Sequence, residues 1–167
     1  MKKFVAFVIT LMICGSLFAA TYKSNVVDDF NEPTNEYVYL CESDESSFSG
    51  FIEVSGSRAS FTFTEECITF QVTDNYRNGR PFMLKSSVTI KIKGMTTNEI
   101  VEINFVENDV MNSLVVIQNN SSYYTQIVNL FKANPSVKVS AIVENPLGSS
   151  YNWKAVSTFY GANLIFS

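Results

Sequence analysis

Beyond the first twenty residues, hydrophobic and polar positions alternate with period two along most of the chain, the signature of half-buried strands. Glu36–Cys41 (EYVYLC) is the first such run, rich in the tyrosine and valine that sheets favour. A polar stretch, Glu42–Ser47, separates it from Phe48–Val54 (FSGFIEV). In SFTFTEECITFQV, Phe61 and Phe63 hold one parity while Ile68, Phe70 and Val72 hold the other. That break predicts a hairpin turning around Glu65-Glu66, because each strand keeps its own inward face across a turn. Val88, Ile90 and Ile92 then alternate with Thr89, Lys91 and Lys93, the clearest one-sided strand in the chain. Gly94 to Asn98 turns, Val101, Ile103 and Phe105 return, and Ser113–Gln118 is shorter. Val137, Val139, Ala141 and Val143 form a late alternating run, and Tyr151–Tyr160 closes the domain.

The period changes once. Tyr124, Ile127, Val128 and Phe131 stand at i, i+3, i+4 and i+7, a single apolar helical stripe. Ser121 or Ser122 is placed to cap its start, Asn134 to take the left-handed position at its end, and Pro135 forbids continuation. Eight or nine short, mostly antiparallel strands with one late helix predict a single all-β domain, a β-sandwich or open barrel. The expected organisation is 1–20 as a signal peptide, 21–36 as an ordered lead-in, and 37–167 as the sandwich-like domain.

The first twenty residues have their own pattern. Lys2 and Lys3 form a basic start, Phe4 to Leu17 an apolar run, and Ala19-Ala20 a small-residue cleavage zone, the layout of an export signal. Export into the periplasm or beyond is therefore expected. An alternative is lipid anchoring through Cys14, against which stands the bulky Ile13 where such sites take a small residue. No later run is apolar enough to span a bilayer. Loss of Lys2 and Lys3 takes the twelve basic residues to ten, against sixteen acidic ones, a net −6. That balance argues against a nucleic-acid partner and against adhesion to anionic lipid.

Two cysteines then remain, Cys41 and Cys67, and in an oxidising compartment they are expected to pair. Closing that loop of about 27 residues would stabilise the fold by roughly 3.5 kcal/mol in the chain-entropy description.

Chemistry is sparse. The chain contains no histidine, which removes Ser-His-Asp and Cys-His mechanisms in their usual form and most zinc geometry. Asp28, Asp29, Asn31 and Glu32 offer oxygen ligands, but their spacing departs from the calcium-loop pattern, and no metal or cofactor is expected. Glu107–Val110 is a weaker version of the same idea. Glu65-Glu66 is the most visible carboxylate pair for a small hydrolase, and a solvated hairpin tip is the simpler reading. Arg77 and Arg80 flank the Asn78-Gly79 turn as a solvated loop. Tyr37 and Tyr39 share one face of the first strand, opposite Val38 and Leu40, and are the candidate contact residues for an envelope or extracellular protein or glycan. The expected role is a non-catalytic contact domain. The alternatives are a carboxylate-dependent hydrolase and a purely structural envelope protein.

The segment VDDFNEPTNEYVYL resembles the opening of a group of small exported bacterial proteins, in which an acidic D-x-F-G-D-P-T-G-x-Y-[IV] stretch precedes the first strand. SSFSGFIEV, SVKVSAIVENP and SSYNWKAVS are loosely similar to later strands of that group. Asn31 and Asn35 stand where the group has glycines, and asparagine best tolerates the same left-handed turn. The resemblance implies export and a fold type, with Phe30 as a clasp on the domain and Tyr37 opening the sheet. It implies no activity.

Overall fold

The computed structural model describes residues 21–27, 33–50, 57–74, 80–81, 87–106, 110–111, 114–144 and 148–166. Two antiparallel sheets dominate these residues. Sheet A runs β1 (Thr21–Val27), β2 (Pro33–Glu45), β4 (Arg58–Phe63), β5 (Cys67–Asp74), β10 (Leu114–Gln118) and β9 (Val110–Met111), with the two-residue β6 (Arg80–Pro81) also on β5. Sheet B runs β3 (Ser47–Gly50), β12 (Trp153–Tyr160), β11 (Ser136–Glu144), β7 (Ser87–Gly94) and β8 (Ile100–Phe105). Among the described residues the two sheets do not close into a barrel, consistent with the expected all-β sandwich. The chain changes sheets at Ser46, between β2 and β3. Its hydroxyl shares a buried 2.6 Å hydrogen bond with that of Ser157 on β12, and its N–H donates to the Ser57 carbonyl at 2.8 Å.

Parity decides burial. Phe61, Phe63, Ile68, Phe70 and Val72 are buried from sheet A, and Val88, Ile90, Ile92, Val101, Ile103, Val137, Val139, Ala141 and Val143 from sheet B. The hairpin turns where the parity broke: the Thr64 N–H donates to the Cys67 carbonyl at 2.9 Å, and Glu65 and Glu66 are exposed. Phe61 is the hub of the core. Its ring centroid lies 4.8 Å from Phe70, 5.2 Å from Phe131 on the helix and 5.3 Å from Phe159 on sheet B. Such tilted and edge-on contacts add to burial because ring edges and faces carry opposite partial charge.

The helix spans Ser122–Ala133 and buries Ile127, Leu130 and Phe131. Ser121 caps it, accepting from the Tyr123 N–H at 3.3 Å. Asn134 does not take the left-handed position expected of it; its backbone is extended, at φ −129° and ψ 122°. Pro135 disfavours a helical conformation in the preceding residue, and the chain runs straight into β11. The side chain does the work instead. Its amide donates to the Leu130 carbonyl at 2.7 Å and to the Thr97 hydroxyl at 3.2 Å, while its oxygen accepts from the N–H groups of Thr96 and Thr97 at 2.9 and 3.0 Å. Asn134 thus ties the end of the helix to the β7–β8 turn. Gly94 allows this approach, since a Cβ there would fall within 2.4–2.7 Å of the Asn134 amide.

Two further expectations are corrected. The stretch 21–36, expected as a lead-in, contains a full strand: Thr21–Val27 pairs antiparallel with β2, and β2 itself starts at Pro33 rather than Tyr37. The Cys41–Cys67 bond is not formed; both thiols are free. The two lie on β2 and β5 with β4 between them. Two strand spacings are about 10 Å, beyond the ~7 Å Cα separation a disulfide tolerates. They also face opposite ways, Cys41 inward with Phe61 and Phe70, Cys67 outward by its odd offset from Ile68. Asp28, Asp29, Phe30, Asn31, Glu32, Arg77, Asn78, Gly79, 107–109 and the whole of 1–20, with Cys14, lie outside the described residues.

Candidate functional site

On β2 the inward parity runs through Cys41, Tyr39 and Tyr37, and burial falls off along it. Cys41 is fully buried, Tyr39 is half-buried against the core, and Tyr37 is 36% exposed. The tyrosine pair is therefore not a flat outer face. It is the continuation of the core face out past the covered part of the sandwich. Val38 and Leu40 take the opposite side of the sheet.

Three further elements converge here. The short 3-10 turn Ala162–Phe166 brings Phe166 to 5.6 Å from the Tyr39 ring and 5.3 Å from Phe63. The helix adds Tyr124, Val128 and Lys132, and the β4–β5 hairpin adds Thr64 and Glu65. Between them lies an open groove of about 300 Å³. Tyr37, Thr64 and Glu65 also border a second hollow of about 360 Å³, completed by Glu36, Glu66 and Cys67. Volumes of this size sit at the lower end of those that hold small ligands.

Cations flank the aromatic rings. Lys23, opposite Tyr39 on β1, places its ammonium 4.5 Å from the Tyr37 ring centroid and 5.4 Å from that of Tyr39. Lys132 lies 5.2 Å from the Phe166 ring. Each ammonium sits over the electron-rich face of a ring, a geometry that steadies both partners. The Tyr124 hydroxyl donates to the Thr64 carbonyl at 2.6 Å and so fixes the helix against the hairpin. Burial pushes the Tyr124 phenol above its ordinary pKa, with the nearby Cys67 and Glu65 adding to the effect. It therefore stays a donor at neutral pH.

The two thiols differ sharply. Burial pushes Cys41 up to about 11, so it behaves as a small core residue. Its sulfur lies 3.9 Å from the Thr21 hydroxyl. Cys67 is half-exposed, with its sulfur 3.6 Å from the Thr64 hydroxyl at the lining of the second hollow.

Sequence reasoning singled out Tyr37 and Tyr39, and the structure brings them together, with ring centroids 6.3 Å apart. It missed Lys23, Lys132 and Phe166. Tyr124 was visible as a member of the helical stripe, but nothing in the periodicity marks Phe166, which reaches the groove only because the last turn folds back. No protein-family model, curated protein or solved structure matches the chain.

Proposed function

We propose that the protein is an exported, non-catalytic β-sandwich domain that works by contact. It grips an envelope or extracellular protein or glycan in the groove bordered by Tyr37, Tyr39, Tyr124 and Phe166. The observation that carries this reading is the groove itself: aromatic rings held in place by the core, opening to solvent with two ammonium groups beside them. Tyrosine offers a large apolar area and a hydroxyl at low entropic cost, which suits both sugar stacking and protein recognition. The basic and apolar start of the chain, and its resemblance to a group of exported proteins, support the export half of the proposal.

Two experiments test it. The chain purified from the cells that make it is expected to begin near Thr21; a chain that keeps residues 1–20 sinks the export half. NMR titration with panels of soluble oligosaccharides and extracellular peptides is expected to shift Tyr37, Tyr39, Tyr124 and Lys132 together, and Tyr37→Ala to abolish the shifts. Shifts confined to other surfaces would refute the groove reading.

A second reading has one observation in its favour. Glu36, Glu65 and Glu66 line the hollow on the other side of Tyr37, where a paired-carboxylate hydrolase would have to act. Turnover of a glycoside substrate that disappears in Glu65→Gln or Glu66→Gln would establish it.

A further inference from the structure

The outward side of sheet B carries a feature that the groove does not use. Lys91 and Lys93 on β7, Lys138 on β11 and Lys154 on β12 all occupy the outward parity of their strands. Four of the chain's twelve basic residues thus share one sheet face, in a protein whose net charge is −4; without those four the chain would carry −8. Lys138 stands directly opposite Lys93 across the β11–β7 ladder, and Lys91 opposite Ser140 one step further along. Like charges opposed across an antiparallel pair cost stability. Glu102 on β8 reaches Lys91 at 2.9 Å, whereas Lys93, Lys138 and Lys154 have no carboxylate at ion-pair distance among the described residues. The Ser140 hydroxyl, set between Lys91 and Val156 in its row, is buried and has no hydrogen-bond partner among the described residues.

We infer that the outer face of sheet B is a binding surface for a linear polyanion, of the class of carboxylated or sulfated polysaccharides. Charge complementarity selects the sign of the partner. The uncompensated Lys93–Lys138 pair supplies two ammonium donors side by side. Shape selects a thin chain over a broad surface. The lysines follow a diagonal band from Lys154 on β12 across the Ser140 position of β11 to Lys93 on β7, with Lys138 and Lys91 on either side of it and Glu102 and Glu144 beyond them. A single extended anionic strand can follow that band without meeting the acidic rim or the acidic remainder of the molecule. A membrane plane or a nucleic-acid duplex would meet both. Lysine, a compact point charge without the planar fork of arginine, suits carboxylates and sulfates presented at varying angles.

The test is isothermal titration of the full chain with polygalacturonate oligomers and with heparin oligosaccharides at low salt. Neutral dextran of matched length, vesicles of phosphatidylglycerol in phosphatidylcholine, and a DNA duplex serve as comparators. Binding to the anionic glycans is expected, weakening steadily as sodium chloride is raised. Lys93→Gln/Lys138→Gln is expected to weaken it by about ten-fold or more, while Glu102→Gln strengthens it. The double variant removes a like-charge pair, so its thermal midpoint is expected at or above that of the parent, which separates lost binding from lost folding. Tyr37→Ala is expected to leave this binding unchanged, so that failure of the groove reading and failure of this one are told apart. No binding at low salt, equal binding to dextran, unchanged affinity in the double variant, or tighter binding to vesicles or duplex would each overturn the inference.

Discussion

Cys41 and Tyr37 lie on the same strand, on the same parity, four residues apart, yet one is sealed from water and the other is a third exposed. Their neighbours explain the difference. Around Cys41 the inner faces of the two sheets meet, and Phe61 and Phe70 stand beside it in register on β4 and β5. Around Tyr37 the face is bordered by Lys23, the hairpin tip and, one step back, Phe166. An alternating strand specifies which side is apolar. How much of that side is covered depends on where the opposing layer stops, and a groove forms where the apolar side outruns its cover.

The covered region should break hardest. Phe61→Ala removes the ring on which Phe70, Phe131 and Phe159 converge, and is expected to cost about 3–5 kcal/mol in chemical denaturation. A loss under about 1 kcal/mol would mean the core is not organised around it.

The attachment of the helix, which walls the groove, should follow. Asn134→Ala leaves the N–H groups of Thr96 and Thr97 without their acceptor and is expected to cost about 2–4 kcal/mol. Gly94→Ala drives a methyl group into the same amide and is expected to cost about 1–3 kcal/mol. Because both act on one contact, the double variant should lose less than the sum of the two.

The pH response sharpens the comparison from the side of Cys41. An unfolded cysteine thiol titrates near 9.0, whereas Cys41 in the fold holds its proton to about 11. Between those values the folded state binds more protons, so this contribution is whole below pH 9 and is lost as pH rises toward 11. Two units correspond to about 2–3 kcal/mol. Cys41→Ala should flatten the fall in stability over that window relative to the parent. In the folded protein at mildly alkaline pH, iodoacetamide should label Cys67 and spare Cys41 until the chain unfolds; a protein with neither thiol free would restore the disulfide.

The smallest effects are expected at the rim. Tyr39→Ala should cost about 1–3 kcal/mol because the ring packs on Phe166, while Tyr37→Ala should stay within about 0.5 kcal/mol. Equal, large losses at both would make the tyrosines core residues and leave the groove without a function.

Most of the β-structure was legible because alternation survives any change in what lies opposite. The hairpin at Glu65-Glu66 followed from a parity break alone, and the helix from four positions and its capping serine. β1 was missed because TYKSNVV has too few apolar positions to alternate visibly, and its place at the sheet comes from pairing with β2. The disulfide failed because even cysteine counts say nothing of which strand separates the two thiols or which way each points.

The sequence by itself determined the local terms: strand period, turn positions, the helix Ser122–Ala133 and the inward set of side chains, each set by neighbours within a few residues. Tertiary structure decided everything that depends on distance between elements. It put β4 between Cys41 and Cys67, turned Asn134 from a helix end into a tie to the β7–β8 turn, and folded Phe166 back onto Tyr39. It also aligned Lys93 with Lys138, from strands more than forty residues apart in the chain. Local propensity acts along the backbone, whereas register and cover are fixed only when sheets pair and pack, and in this protein the candidate sites consist of register and cover.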